Sequence, residues 1–348
     1  NNHYLAFSGG TPQSNYRASF GVMDHNTIIK KMDYNVFVAK VDVTQKAFND
    51  RLTGEFGVFG SSFKNHDIFD TQMLFYSAAC QNPTFPAGTD EHGNWLKNES
   101  ATHVNPPGIL LEEKNDSKDL NFDAHIKLSY DFNKNWRVST FGSYLYGSTE
   151  NGQFCPTWVW AQGNVYRGEF KKEEWLGNVS LDFNKEFGIH KVSAGVSSEY
   201  RKLRKTAFWV YAKGIPTNDF HYDNLGATAA RPYGGTESTY EDQSLASIMG
   251  SITYNLLDRY TLAVNARGDG SSMVGDNNTW GFFPSVSLTW DMKKESFLAN
   301  IKPLSMLKLR TGLGQAGNLG GISAYTTMNT VRQTGIVPVK SSPTVTLG

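Results

Sequence analysis

Ala124–Phe132 reads AHIKLSYDF, and its alternation decides the fold. Ala124, Ile126, Leu128, Tyr130 and Phe132 are apolar, whereas His125, Lys127, Ser129 and Asp131 are polar. Successive side chains of an extended strand point to opposite sides, so a strict period of two gives one apolar face and one polar face. The residues NKNW, Asn133–Trp136, then turn the chain, and a second strand-like run opens at Arg137. This unit recurs along most of the sequence. A series of two-faced strands with short polar turns and long polar loops suits a wall between lipid and water.

Outward from that stretch, strand candidates come in pairs. Asn2–Ser8 precedes Tyr16–Met23, and Val36–Gln45 precedes Leu52–Phe63. Asn121–Phe132 is followed by Arg137–Gly147, and Trp175–Phe183 by Lys191–Leu203. Leu245–Tyr254 leads into Tyr260–Arg267. Phe282–Asp291 and Leu307–Leu313 flank KKESFLANIKPLS, a segment with room for a short helix. These make about twelve strands, each able to cross a bilayer when tilted, since roughly 9–11 residues suffice. Joins within pairs are mostly short and carry Asn, Asp, Gly and Lys, as tight turns require. Joins between pairs are long: Lys64–Leu120, Ser148–Glu174, Arg204–Ser244 and Gly268–Gly281. Outer-membrane barrels show this asymmetry, and a soluble sandwich more often has comparable turns at both ends.

Composition agrees. Only 39% of the 348 residues are hydrophobic, too few for a helical membrane protein, while 13% are aromatic. No apolar stretch approaches the roughly 20 residues of a spanning helix. Lys plus Arg and Asp plus Glu each number 33, so the balanced charge gives no electrostatic reason for a nucleic-acid partner. Aromatics gather near strand ends, at Tyr130, Phe132 and Trp136, Tyr144 and Tyr146, Tyr254 and Tyr260, and Trp280, Phe282 and Phe283. Girdles at the two membrane interfaces have this look; a sandwich core is the bland alternative. The last strand candidate ends near Leu313, and the Gly-, Thr- and Ser-rich tail reads as a loop. An open sheet edge in lipid leaves backbone groups unpaired, so the chain is expected to be part of a larger barrel. The sequence begins at Asn1 without Met or an export signal, and the true N-terminus is expected upstream.

Catalytic signatures are missing: the sequence holds no GxSxG, HExxH, Walker A or CxxC, and neither a cofactor nor an enzyme activity is expected. His66, His92 and His103 share one long loop with Asp67, Asp90 and Glu91, but their spacing matches no ligand set. Arg267–Gly281 has the composition of a Ca²⁺ loop without its alternating ligands or closing Glu. Glu112, Glu113, Asp116 and Asp119 alternate with Lys114 and Lys118 and read as a solvated face. Cys80 and Cys155 both sit in loop-like sequence; an oxidising compartment permits a disulfide between them, and geometry decides it. The candidate ligand contacts are aromatic residues in or beside the long connections: Trp95, Trp158, Trp160, Trp209 and Tyr211. Rigid, amphipathic rings are platforms for sugar faces or apolar side chains, and they equally serve to pack loops together.

Several strings resemble the SusC/RagA-like TonB-linked outer-membrane transporters. These are AFSGG at Ala6–Gly10, NYRASFG at Asn15–Gly21, QKAFNDRL at Gln45–Leu52, NPTFP at Asn82–Pro86 and GILLEEKNDSK at Gly108–Lys118. The most specific runs over Asp258–Trp290, DRYTLAVNARGDGSSMVGDNNTWGFFPSVSLTW, and LKLRTGLGQAGN follows at Leu307–Asn318. Met273 and Val274 depart from the Arg-Phe that the family usually places after DGSS. The resemblance implies a barrel of roughly 22 strands around a plugged lumen, of which residues 1–348 supply the N-terminal part. The plug domain and C-terminal strands then lie outside this chain. It also implies TonB as energy source through an upstream region, a SusD-like surface lipoprotein as lid, and oligosaccharides or peptides as substrates. The reading is therefore an all-β, antiparallel transmembrane β-barrel among outer-membrane lipids, serving nutrient import. The competing readings are an outer-membrane adhesin that binds surfaces through its loops, and a secreted soluble β-sandwich enzyme acting on glycans.

Overall fold

The computed structural model describes residues 1–97, 104–160, 162–232, 234–275, 279–327, 333–339 and 342–347. Its strands are β1 (Asn2–Gly10), β2 (Ser14–Asn26), β3 (Asp33–Ala47), β4 (Leu52–Asp67), β5 (Lys114–Asp131), β6 (Trp136–Cys155), β7 (Asn164–Phe187), β8 (His190–Lys213), β9 (Thr236–Leu256), β10 (Tyr260–Ser271), β11 (Trp280–Asp291) and β12 (Lys308–Gly314). They form one antiparallel sheet in strict chain order, β1 next to β2 and so on to β12, with β1 and β12 not paired to each other. All twelve expected strands are present. One continuous sheet rules out the sandwich, which needs two sheets packed face to face.

The register shows why the pattern was so regular. Val41, Val58, Ala124, Tyr144 and Trp175 stand opposite one another in turn across β3 to β7. Ala194, Ile252, Val264, Val286 and Leu313 form a second such row across β8 to β12. Because the side-chain period is two, these rows share one face of the sheet. That face carries large apolar side chains open to the surroundings: Ile126 is 48% exposed, Ile252 58% and Leu288 45%. The opposite face carries Lys127, Ser129, Asp182, Ser197, Ser251 and Asn265. A soluble protein does not leave an apolar face of this extent wet; lipid accounts for it.

Aromatics edge this face at both ends. Trp136 lies 4.7 Å from Phe183, and Tyr260 6.3 Å from Trp290, at the short-turn end. Tyr144 and Trp175, at 4.3 Å, stand towards the other end. Phe283 departs from the expected girdle. It faces Arg267 across the ladder and so lies on the polar side.

The connections alternate as expected in kind but not in length. Short turns span 11–13, 48–51, 132–135, 188–189 and 257–259, and the sixth join at that end, 292–307, holds the short helix α3 (Ser296–Ala299). At the opposite end the ladder runs far beyond the apolar band. The long connections shrink to 156–163, 214–235 and 272–279, and only 68–113 remains extensive, with helices α1 (Thr71–Cys80) and α2 (Pro106–Glu112). Above lipid both faces of a strand are wet, so the apolar alternation stops while backbone pairing continues. The tail also differs from a plain loop, since β13 (Gln333–Val339) and β14 (Ser342–Leu347) pair as a separate hairpin.

Candidate functional site at the long-loop end

Two assemblies of loop and strand meet at the long-loop end. In the first, Asp70 caps α1 by accepting from the Met73 amide at 2.8 Å. Buried Asn105 caps α2 by accepting from the Gly108 amide at 3.2 Å, with prolines at the first helical positions. An Asx cap satisfies a helical N–H that has no partner within the helix, and Pro there forfeits nothing. Ile109 is fully buried and packs with Ile68 and Leu74, flanked by Met32, Val104 and Trp158.

Two adjacent carboxylates tie this cap together. Glu112 accepts the indole N–H of Trp158 at 2.6 Å and that of Trp95, whose ring lies 6.2 Å from the Trp158 ring. Glu113, only 4% exposed, accepts from the Asp70 amide at 3.1 Å and from the Cys155 thiol at 3.5 Å. Burial drives the Glu113 carboxyl up to about 7, the two hydrogen bonds offsetting part of the shift. Burial and the neighbouring Glu113 carboxylate likewise push the Cys155 thiol far above its ordinary range. The expected solvated face is thus overturned at these two positions: the helix turns both carboxylates into the cap, where indole, amide and thiol donors meet them.

The second assembly lies on the other side of the same strands. Residues 214–235 fold back so that Ile215, Tyr222 and Leu225 cover Phe154, Val165 and Ala212. Tyr222 donates to Asp116 at 2.5 Å, and the His221 ring meets Phe154 edge-on at 5.0 Å. Burial and the acceptor Asp116 raise the Tyr222 phenol above its ordinary value, and burial lowers His221. These side chains have the parity of the apolar face, so this loop shields that face where it rises beyond the band.

Against the polar face lies a cavity of about 1030 Å³. Its walls are polar-face residues of β7 to β11, among them Asp182, Arg201, Asn265, Arg267 and Asp269, and residues 315–319 close over it. Arg267 donates to Asp269 at 2.7 Å and to Ser247 at 3.0 Å, and Arg201 to Glu174 at 2.7 Å. The two arginines are paired within the wall, Asp182 accepts from the Ser180 hydroxyl, and Leu245, Met249, Phe283 and Leu319 give the lining broad apolar surface beside its hydrogen-bonding groups.

Of the aromatic candidates, the structure brings Trp95 and Trp158 together as cap-packing rings. Trp160 stands 46% exposed on the connection 156–163. Trp209 and Tyr211 belong to β8, not to a loop. Trp209 stacks on Phe170 at 6.3 Å, and Tyr211 donates to Asn164 at 3.0 Å, both on the polar face. Cys80 is exposed, Cys155 is buried, and both are free thiols. Among the described residues no cluster of metal-ligating side chains forms. His66 pairs with Asp33 at 2.8 Å and His92 with Glu91 at 3.5 Å, and His103 lies outside the described residues. The segment 267–281, which has the composition of a Ca²⁺ loop without its ligand pattern, comprises the end of β10, the connection after it and the start of β11, with 276–278 outside the described residues.

A family model described as TonB dependent receptor-like, beta-barrel matches residues 48–341. TonB-dependent receptor P3 of Formosa agariphila is 28% identical over 345 residues, covering 94% of this chain and 34% of that protein. TonB-dependent receptor SusC of Bacteroides thetaiotaomicron is 28% identical over 362 residues, covering 93% and 34%. The chain thus spans about a third of the length of these curated relatives. Among solved structures, the RagAB peptide transporter superposes with a TM-score of 0.79 at 15% identity, over 100% of this chain and 40% of that one. The ferric citrate transporter FecA follows at 0.52 and 8% identity, over 84% and 39%. At these identities the structural likeness speaks for the fold alone.

Proposed function

This chain belongs to the TonB-dependent receptor-like β-barrel family, and from that premise we propose that it forms the first part of the barrel wall of an active nutrient importer. Receptors of this family are outer-membrane β-barrels, and the apolar face described above is the surface that meets lipid. In our reading the whole protein carries a plug domain upstream and further strands downstream. Those strands pair the free edges of β1 and β12, since unpaired backbone in lipid costs several kcal/mol per group. TonB draws on the plug, a SusD-like lipoprotein closes the long-loop end, and the cargo is an oligosaccharide or a peptide.

The observation that carries this reading is the twelve-strand register, which collects apolar side chains on one face and hydrogen-bonding ones on the other. A wall built this way needs no covalent chemistry. The polar lining exchanges hydrogen bonds with a hydrated solute as it passes, and the plug prevents leakage between events. Trp160 and the Phe170–Trp209 stack are the aromatic surfaces offered to cargo, while Trp95 and Trp158 hold the cap in shape.

Two linked measurements test this. Affinity-tagged full-length protein is purified from detergent-solubilised outer membrane, and uptake of large glycans and peptides is compared between cells with and without its gene. A co-purifying lipoprotein and a loss of uptake support the importer. Loss of surface attachment with uptake unchanged refutes it and favours the adhesin.

A further inference from the structure

Lys64 of β4 stands directly opposite Lys118 of β5 in the ladder. Their parity is that of Val58 and Phe56 on β4 and of Leu120 and Ile126 on β5, so both ammonium groups leave the sheet on the lipid-facing side. Opposed side chains on one face start only about 5 Å apart, and like charges there destabilise the pair. Among the described residues no carboxylate comes within 4.0 Å of either ammonium, although Asp116, two residues before Lys118 on β5, shares their face. Glu150 lies across from Lys118 on β6 without pairing to it, and Asn35 flanks Lys64 on β3. Cations of the same face on β7 and β8 are treated differently. Lys171 meets Glu169 at 2.7 Å, Lys202 meets Asp242 at 3.4 Å and Arg204 meets Glu173 at 3.8 Å.

The position along the strands supplies the missing anion. Two residues nearer the middle of the wall the apolar band begins, with Phe37 47%, Leu120 38% and Phe122 40% exposed. Three residues beyond Lys64, β4 ends and the long connection starts. The unpaired lysines therefore stand one row above the apolar band, where their stems lie along acyl chains and their charged ends reach the head groups. Resting on the barrel reading above, we propose that Lys64 and Lys118 form a binding site for the phosphate of a phosphate-bearing lipid in the leaflet on the long-loop side. Lysine engages phosphate as a point charge, and one bridging phosphate turns the repulsive pair into an attractive triad, with the Asn35 amide as a third donor within the same row.

The test uses full-length receptor in neutral detergent, titrated with dioleoyl phosphatidylglycerol and followed by native mass spectrometry. The Lys64→Gln/Lys118→Gln double variant is compared with Lys205→Gln, which removes a cation from the polar face. Heat-modifiable migration checks that each variant is folded, and a receptor that needs no detergent at all removes the barrel premise instead of the site. The expected result is one phosphatidylglycerol retained about tenfold more tightly by wild type and Lys205→Gln than by the double variant. Dioleoylglycerol, which has no phosphate, should show no difference. In lipid-free detergent the double variant should melt higher than wild type, and added phosphatidylglycerol should reverse that order. Equal retention of phosphatidylglycerol by the double variant overturns the site. Equal stabilisation of wild type by inorganic phosphate alone overturns the assignment to lipid.

Discussion

Glu113 is a carboxylate held where a carboxylic acid is preferred. Its donors are an amide and a thiol, not a cation, and the site is closed to water. With the folded value raised from 4.5 to about 7, the closed cap holds a proton that the opened cap releases between those limits. Stability of the cap is therefore greatest below about pH 4.5, falls as pH rises through the window, and stays reduced above about 7, by at most about 3 kcal/mol. Hydrogen exchange at the first-turn amides of α1, corrected for the intrinsic pH dependence, should show protection declining from pH 5 to pH 8. Glu113→Gln should flatten that profile; parallel profiles in both proteins would mean the carboxyl is not coupled to the cap. Gly108 sets a second constraint nearby. A Cβ there would sit 2.6 Å from the Trp158 ring and 2.9 Å from that of Trp95, and two packed indoles have little freedom to give way. Gly108→Ala should loosen the cap by roughly 1–3 kcal/mol, read as faster proteolytic nicking within 82–97, with the barrel's heat-modifiable migration unchanged.

At the scale of the element, two features of the strands have opposite energetic signs. The middle of the apolar band tolerates no charge: Ile126→Lys should cost about 2–4 kcal/mol there, whereas His125→Lys, one residue away on the polar face, should cost little. Denaturant unfolding in lipid vesicles measures both, and equal effects would contradict the assignment of the faces. The turns store strain instead. Leu257 and Asp258 adopt φ of 59° and 55°, a region that suits Asn or Gly and taxes a branched side chain. Leu257→Asn should stabilise the β9–β10 hairpin by about 1 kcal/mol, seen as a higher unfolding midpoint in the same assay. Strands were legible in the sequence for the same reason that they are stable. Lipid enforces the alternation at Ile126, Leu128 and Tyr130 that a reader of the sequence counts. Where β6 to β8 leave the lipid, that enforcement ends. Asn164–Glu174 is paired throughout yet shows no apolar period, so it reads as loop. The cap was hidden for a further reason. Glu112 and Glu113 are adjacent identical residues in a charged run, and only contacts with Trp95, Trp158 and Cys155, distant in sequence, distinguish them from a solvated face.

For the whole molecule, the alternation of connection lengths fixes the orientation. Every short turn from 48–51 to 257–259 lies at one end of the sheet, and the two-helix connection 68–113 and the fold-back 214–235 lie at the other. Short turns need only reverse a strand, while extended connections need space and water on their side, which in outer-membrane barrels is the extracellular side. The prediction can be made with two single positions in the full-length protein. A cysteine replacing His92, at an exposed bend between α1 and α2, should react on intact cells with a membrane-impermeant maleimide. A cysteine replacing Lys134, in the turn between β5 and β6, should react only after the outer membrane is permeabilised. Both replacements are made with Cys80 changed to Ser, because that thiol is exposed at the long-loop end and would label on its own. Cys155 can stay, since burial beside Glu113 leaves its thiol without access or thiolate character. Labelling of Lys134→Cys, and not His92→Cys, on intact cells would invert the barrel. The long-loop end, with its cap and fold-back, would then face away from the outside, and the importer proposal would fail with it.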